Sequence, residues 1–221
     1  AECSPASSTA TSRRRRWWRW AALGLTLVVV FHVPLLRTLG RALTVNPPTG
    51  AFNAVVILGG DHRLEVVKQL MDAGRVATIW MIEGRPSYLV TAGILPSPAQ
   101  VAEAELLDAG ISPERLVTFY DEEVVSIADI ARVVASRMRE APDARVRLVC
   151  ETLSGRHVRI IYDDVLGDEI AARVAILGLP DDNFDVDTWW RSRTGLKELF
   201  GQICQLGFTM AAGTDRREPP E

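Results

Sequence analysis

Short, uninterrupted apolar runs alternate with longer stretches whose apolar positions recur every three or four residues, and this alternation begins at Asn53 and continues almost to the carboxy terminus. AVVILG at 54–59 is apolar throughout, as a strand buried on both faces requires, and LEVVKQLMDAG at 64–74 has helical spacing and a closing glycine. VATIWMI at 76–82 follows as a second strand, and a loop rich in Gly and Pro fills 84–98. PAQVAEAELLDAG at 98–110 reads as a helix with Pro98 near its start and Gly110 at its end. RLVTFY at 115–120, the amphipathic stretch 123–141 and RVRLVC at 145–150 then supply strand, helix and strand. This repetition predicts an α/β fold with a mostly parallel, doubly wound sheet.

Beyond Cys150 the periods mix. GRHVRIIYDDVL at 155–166 fits a helix through Val158, Ile161 and Val165, or a strand through Val158, Ile160 and Tyr162; a crossover is due here, which favours the helix. AARVAIL at 171–177 is then a fifth strand, and 188–208 a final helix after an acidic turn. Trp189 and Trp190 read as packing residues ahead of ligand-stacking ones, because large aromatic side chains gain so much from burial. The α/β domain is expected over 53–208, with a solvated tail at 209–221.

A different pattern precedes the domain. Residues 1–16 are rich in Ser, Ala and Thr and end in four consecutive arginines, so they are expected to form a disordered basic tail. From Trp20 to Leu36 the chain is apolar apart from tolerated His32 and Pro34, which is the short edge of what crosses a bilayer. Trp17, Trp18 and Trp20 suit a headgroup interface, and Arg19 can snorkel toward it. These features predict one transmembrane anchor over 17–39 and a linker over 40–52 containing the rigid NPPTG. The excess of arginine ahead of the run predicts a cytoplasmic amino terminus, hence a single-pass plasma-membrane protein with its folded domain outside and the lipid bilayer as a partner. A cleaved signal peptide competes, although no Ala-x-Ala site follows the core; so does a buried or amphipathic helix.

Charge sharpens this division. The formal net charge of the 221-residue chain is -3, yet residues 1–41 hold seven arginines and one acid, which leaves 18 basic and 27 acidic residues in the rest. An acidic folded part argues against nucleic acid as a partner, since phosphate contacts need concentrated Lys and Arg. Cys3, Cys150 and Cys204 form neither a disulfide framework nor a metal-ligand spacing. The sequence singles out no cofactor.

Candidate chemistry follows from position, because open α/β sheets bind ligands at the carboxyl ends of their strands. Gly59 and Gly60 let backbone approach a ligand before a helix amino terminus, or simply make a tight turn; they match neither the dinucleotide fingerprint nor a phosphate loop. Asp61 and Glu83, at the ends of the first two strands, can share an ion or a proton if those strands are neighbours. Arg63, Arg156 and Arg159 can clamp phosphate with forked donors, or lie solvated or paired with acids. His157 is read as a general base or phosphate donor, against a structural role of about equal weight. Ser154 is a phosphate ligand or, more safely, a helix cap. Glu103 and Glu105 lie inside the helix at 98–110, where one can face the site.

Taken together, AVVILGG at 54–60 followed by Arg63, the helix ending QLMDAG, the stretch VAEAELLDAGISPERLV, SGRHVR at 154–159 and DTWWRSRTGLKELF resemble the YdcF-like family, the domain shared with the SanA and ElyC envelope proteins, over roughly residues 53–205. The resemblance departs at Asp61, at Glu83-Gly84-Arg85, at VVSIAD with Ser126 and Asp129 as remnants of a polar element, and at Arg159, one position early. Gly59, Gly60, Arg63, Glu103, Ser154 and His157 match directly, which implies catalytic roles for His157 and Glu103. It also implies a Rossmann-like domain in an anchored, divergent member tied to cell-envelope biogenesis. The expected function is therefore a membrane-anchored envelope protein that acts on or binds an anionic precursor such as a polyprenyl-phosphate-linked saccharide. Two alternatives stand beside it: a non-catalytic envelope scaffold, and a nucleotide- or S-adenosylmethionine-binding protein.

Overall fold

The computed structural model describes residues 20, 24, 26, 31–46, 49–58 and 63–214. Five strands form one parallel sheet: β1 (Phe52–Ile57), β2 (Val76–Glu83), β3 (Leu116–Tyr120), β4 (Val146–Glu151) and β5 (Val174–Leu179). Their order is β3-β2-β1-β4-β5, so the chain builds outward from β1 in one direction and then, with β4, in the other. A doubly wound parallel α/β sheet of Rossmann-like order is the result. Ala54, Val55 and Val56 are all at most 1% exposed, which is why this central strand reads as a continuous apolar run.

Helices cover both faces. Ahead of the sheet lies α1, helical over residues 31–42, and the later helices are α2 (Arg63–Asp72), α3 (Tyr88–Thr91), α4 (Pro98–Asp108), α5 (Ile127–Glu140), α6 (Gly155–Ala171) and α7 (Arg193–Ala212). Val67 and Met71 of α2 and Leu106 of α4 pack with Val55, Ile79 and Val149 on one face. Ala131, Val134 and Met138 of α5 and Val158 and Tyr162 of α6 pack with Ala54, Val56 and Leu148 on the other. The ambiguous stretch 155–166 is thus helical, and it bends at Gly167, where the backbone leaves helical geometry. Because α6 runs on to Ala171, the fifth strand starts at Val174, later than the apolar run suggests. The amphipathic stretch from 123 becomes helical only at Ile127, because Ser126 and Asp129 cap it reciprocally.

The expected transmembrane anchor is corrected by this structure. Among the described residues no helix is long and apolar enough to cross a membrane. Of the range 17–39, residues 17–19, 21–23, 25 and 27–30 lie outside the described residues, as does 1–16. What is described of α1 docks on the α/β domain. Leu36 and the following Leu43 join Leu153, Trp189 and Leu199 in a third apolar cluster, and the Trp189 indole N–H donates to the Leu36 carbonyl at 2.9 Å. Gly40 permits the approach, since a Cβ there would fall 2.6 Å from the Val186 carbonyl oxygen and 2.9 Å from the Trp189 ring. Arg41 completes the contact with two 2.7 Å bonds to the Asp187 carboxylate. The bilayer partner, the single-pass topology and the placement of the domain outside a plasma membrane all rested on the span, and they fall with it.

Candidate functional site

The strand order reverses between β1 and β4, and it is at the carboxyl ends of the strands flanking such a reversal that open α/β sheets form their ligand crevice. Arg63, the first residue of α2, is 3% exposed and donates from its guanidinium to the Glu151 carboxylate at 2.8 Å. Glu151 is the last residue of β4, and its side chain remains 43% exposed. One wall of the crevice is therefore a buried cation held by a carboxylate that faces solvent. Gly59, Gly60 and Asp61, the turn leading from β1 to Arg63, lie outside the described residues.

Next to this pair the chain turns through residues 152–154 into α6. Ser154 makes no side-chain cap bond. The amino terminus of α6 is instead covered by the segment after α1: the Arg156 N–H donates to the Leu43 carbonyl at 2.9 Å, and Gly155 lies against Val45. The backbone donor at Arg156 that might have met an anion is thus already bonded within the chain. The Arg156 side chain is exposed.

His157 and Arg159 diverge from the crevice because neighbouring positions on a helix face different ways. His157 is 9% exposed, and its Nε2 lies 2.9 Å from the Thr209 hydroxyl of α7. Arg159 pairs with Asp163 and donates to the Val174 carbonyl at 3.0 Å, toward the start of β5. Glu83 ends β2 opposite Tyr120 of β3, on the far side of β1 from Glu151. β1, which precedes Asp61 in sequence, and β2, which ends at Glu83, are neighbours. Glu103 is half-buried in α4 and Glu105 is exposed. Gly84 serves packing, since a Cβ there would run into the Val124 carbonyl oxygen. Of the candidate residues described, Arg63 alone is brought to the switch point.

Burial pushes the His157 pKa below its ordinary 6.5. The unfolded chain therefore takes up a proton that the folded chain resists, and stability present above pH 6.5 declines as pH falls through that value toward the lowered one. Denaturant midpoints should drop between about pH 7 and pH 5, and His157→Gln, which retains a partner for Thr209, should flatten the drop. An unchanged slope in that variant would rule out His157 as the source.

The end of the fifth strand, from which the sequence supplies no candidate residue above, carries an opening of its own. A cleft of about 620 Å³ at the ends of β4 and β5 is lined by Thr152, Arg41 and the segment Pro180 to Asp187. That volume is in the range of small-molecule sites. Its signal in the sequence is DDNFDVD, four aspartates directly after a strand. Asp181 accepts from the Asn183 amide at 2.7 Å, and the Arg41 guanidinium holds the Asp187 carboxyl below its usual range. A narrower recess lined by Glu151, Thr152, Asp181 and Phe184 joins this cleft to the end of β4.

Chemically, the crevice and cleft together offer many acceptors and one buried, already paired cation. Cys150, at the end of β4, is no nucleophile here: burial pushes its thiol up to about 12, with Arg63 pulling the other way. Among the described residues no group of three or more His, Cys, Asp or Glu side chains is placed to hold a metal ion.

The class so defined is a doubly wound parallel α/β protein with a charged pair at its switch point and an acidic cleft beside it. No model of a known family matches the chain, and no curated protein matches it. The resemblance to the YdcF-like family is corrected accordingly. Its motifs are short, and those described have local structural work: QLMDAG closes α2, and SGRHVR is the turn into α6. Ser126 and Asp129, read as remnants of a polar element, are a helix cap. With no membrane-crossing helix among the described residues and no matching family model, the expectation of a membrane-anchored envelope protein handling a lipid-linked anionic precursor also gives way.

Proposed function

We propose that this chain binds a nucleoside-containing small molecule, of the nucleotide or S-adenosylmethionine type, in the crevice between the carboxyl ends of β1 and β4. The observation that carries this reading is the reversal of strand order at that place, where Arg63 and Glu151 meet. Open α/β sheets take such ligands at their switch points. Glu151 keeps enough exposure to accept hydrogen bonds from ribose hydroxyls while it holds Arg63.

The charge of the surroundings supports one ligand type over the other. Asp181, Asp182, Asp185 and Asp187 line the adjoining cleft, where Arg41, the one cationic lining group among the described residues, is taken up by Asp187. Such walls repel a polyphosphate and attract an ammonium or sulfonium group. S-adenosylmethionine or an uncharged nucleoside fits them better than a nucleoside triphosphate.

Calorimetric titration of the full chain with S-adenosylmethionine and, separately, with ATP tests this. Saturable binding of S-adenosylmethionine is expected, with ATP at least about tenfold weaker. If neither ligand binds a chain shown to be folded, the proposal fails.

A further inference from the structure

The amino-terminal edge of the sheet, opposite the crevice, holds a second unusual charge. Arg147 is the second residue of β4, aligned with Val55 of β1, and at 2% exposed it heads the largest fully buried side chains. Its Nε has no hydrogen-bond partner. Its guanidinium makes a long hydrogen bond, 3.3 Å to the Gly50 carbonyl, and lies over the Phe52 ring, 4.3 Å from the centroid. A buried guanidinium ordinarily meets a carboxylate, because an uncompensated charge in the interior is strongly unfavourable.

What surrounds Arg147 makes matters worse for it. Arg145 reaches the same ring at 4.8 Å and the Ala51 carbonyl at 3.5 Å. Arg75 stands just before β2, where its carbonyl accepts from the Phe52 N–H. Burial and the charges of Arg75 and Arg145 all act to lower the Arg147 pKa. Among the described residues none of the three arginines forms an ion pair. Arg75 and Arg145 are exposed, so an anion can reach them from solvent.

We propose that Arg75, Arg145 and Arg147 form a binding site for a phosphate-class oxyanion at the amino-terminal edge of the sheet, beside Gly50 and Phe52. Forked guanidinium donors match a tetrahedral oxyanion, and three positive charges suit a dianion better than a single carboxylate. The bound anion relieves the mutual repulsion of the cluster, so binding and folding are linked: the anion binds the folded chain, where the three charges are held together, and stabilises it. This site shares no residue with the crevice and stands or falls independently of it.

Thermal unfolding of the full chain in inorganic phosphate, against sodium chloride at matched ionic strength, reads the linkage. The expected result is a saturable rise in Tm with phosphate. In the Arg75→Gln, Arg145→Gln double variant, whose changes are both at exposed side chains, half-saturation should need at least about ten times more phosphate. Arg147→Met should abolish the phosphate response while leaving the Tm without phosphate at or above that of the unaltered chain, since an apolar side chain of similar length removes an uncompensated buried charge. Phenyl phosphate in a parallel series separates a free anion from an ester: a response to either that the double variant loses supports the site. No specific response to either anion, or equal half-saturation with and without Arg75 and Arg145, overturns it. The double variant keeps the test decisive should Arg147→Met fail to fold.

Discussion

Trp189→Ala should destabilise the chain by about 3–5 kcal/mol, the usual range for deleting a buried aromatic side chain. Trp189 is 3% exposed and joins three parts of the molecule. Its ring N–H holds the Leu36 carbonyl of α1, its ring stands nearly perpendicular to that of Trp190 with centroids 5.9 Å apart, and its backbone is pressed by Gly195, where a Cβ would stand 2.5 Å from the Trp189 carbonyl oxygen. The cavity would also remove the surface that seats Gly40 and Leu43, so α1 should loosen before the sheet does. Denaturant unfolding gives the total loss, and limited proteolysis near residues 36–43 shows where it begins. Trp190→Ala, at a half-buried position, is the control and should cost less. Equal losses from the two variants would mean that Trp189 is not the joint described.

The second large effect is an asymmetry between two partners. Glu151→Ala should cost more stability than Arg63→Met, although each breaks the same 2.8 Å pair. Removing Glu151 takes a 2.8 Å carboxylate partner from the 3%-exposed Arg63, whereas Arg63→Met leaves a partly exposed carboxylate that water can solvate and fills the buried space with apolar atoms. Breaking a fully buried pair costs roughly 3–5 kcal/mol, and the exposure of Glu151 reduces this to about 2 kcal/mol; Arg63→Met should cost about 1 kcal/mol or less. Both variants should weaken S-adenosylmethionine binding about tenfold or more, because each removes the crevice's fixed charge geometry. Unfolding curves and titrations on the same preparations separate the two effects. A larger stability loss from Arg63→Met would reverse the assignment of which partner carries the desolvation.

The sheet was legible in the sequence because β1 and β4 are buried on both faces, and burial of that kind writes an unbroken apolar run such as Ala54 to Val56. Even the ambiguous 155–166 could be resolved by the need for a crossover. The amino-terminal helix was not legible in the same way. Apolar content alone does not tell a membrane span from a helix that docks on its own domain, and the contact that docks the described part of α1 joins Leu36 to Trp189, 153 positions further on. Arg147 was hidden for a related reason: an arginine within RVRLVC reads as a solvent-facing strand position, and nothing local says that it is buried over Phe52.

At the site, strand-end reasoning pointed to Arg63, and the structure sets that side chain against Glu151 at the end of β4. His157 and Arg159 share a sequence motif but not a helix face, one bonding α7 and the other reaching β5. The acidic segment after β5 obeyed the same positional rule as Glu151 and was recognisable from DDNFDVD.

A ligand seated at the switch point between β1 and β4 should be visible in hydrogen exchange of the full chain with and without saturating S-adenosylmethionine. Slowed exchange is expected at the amides of Leu58, Arg63 and Glu151 to Gly155, with the amino-terminal edge around Gly50 and Arg147 unchanged. Protection that spares the ends of β1 and β4, or that appears only at the opposite edge, would contradict it.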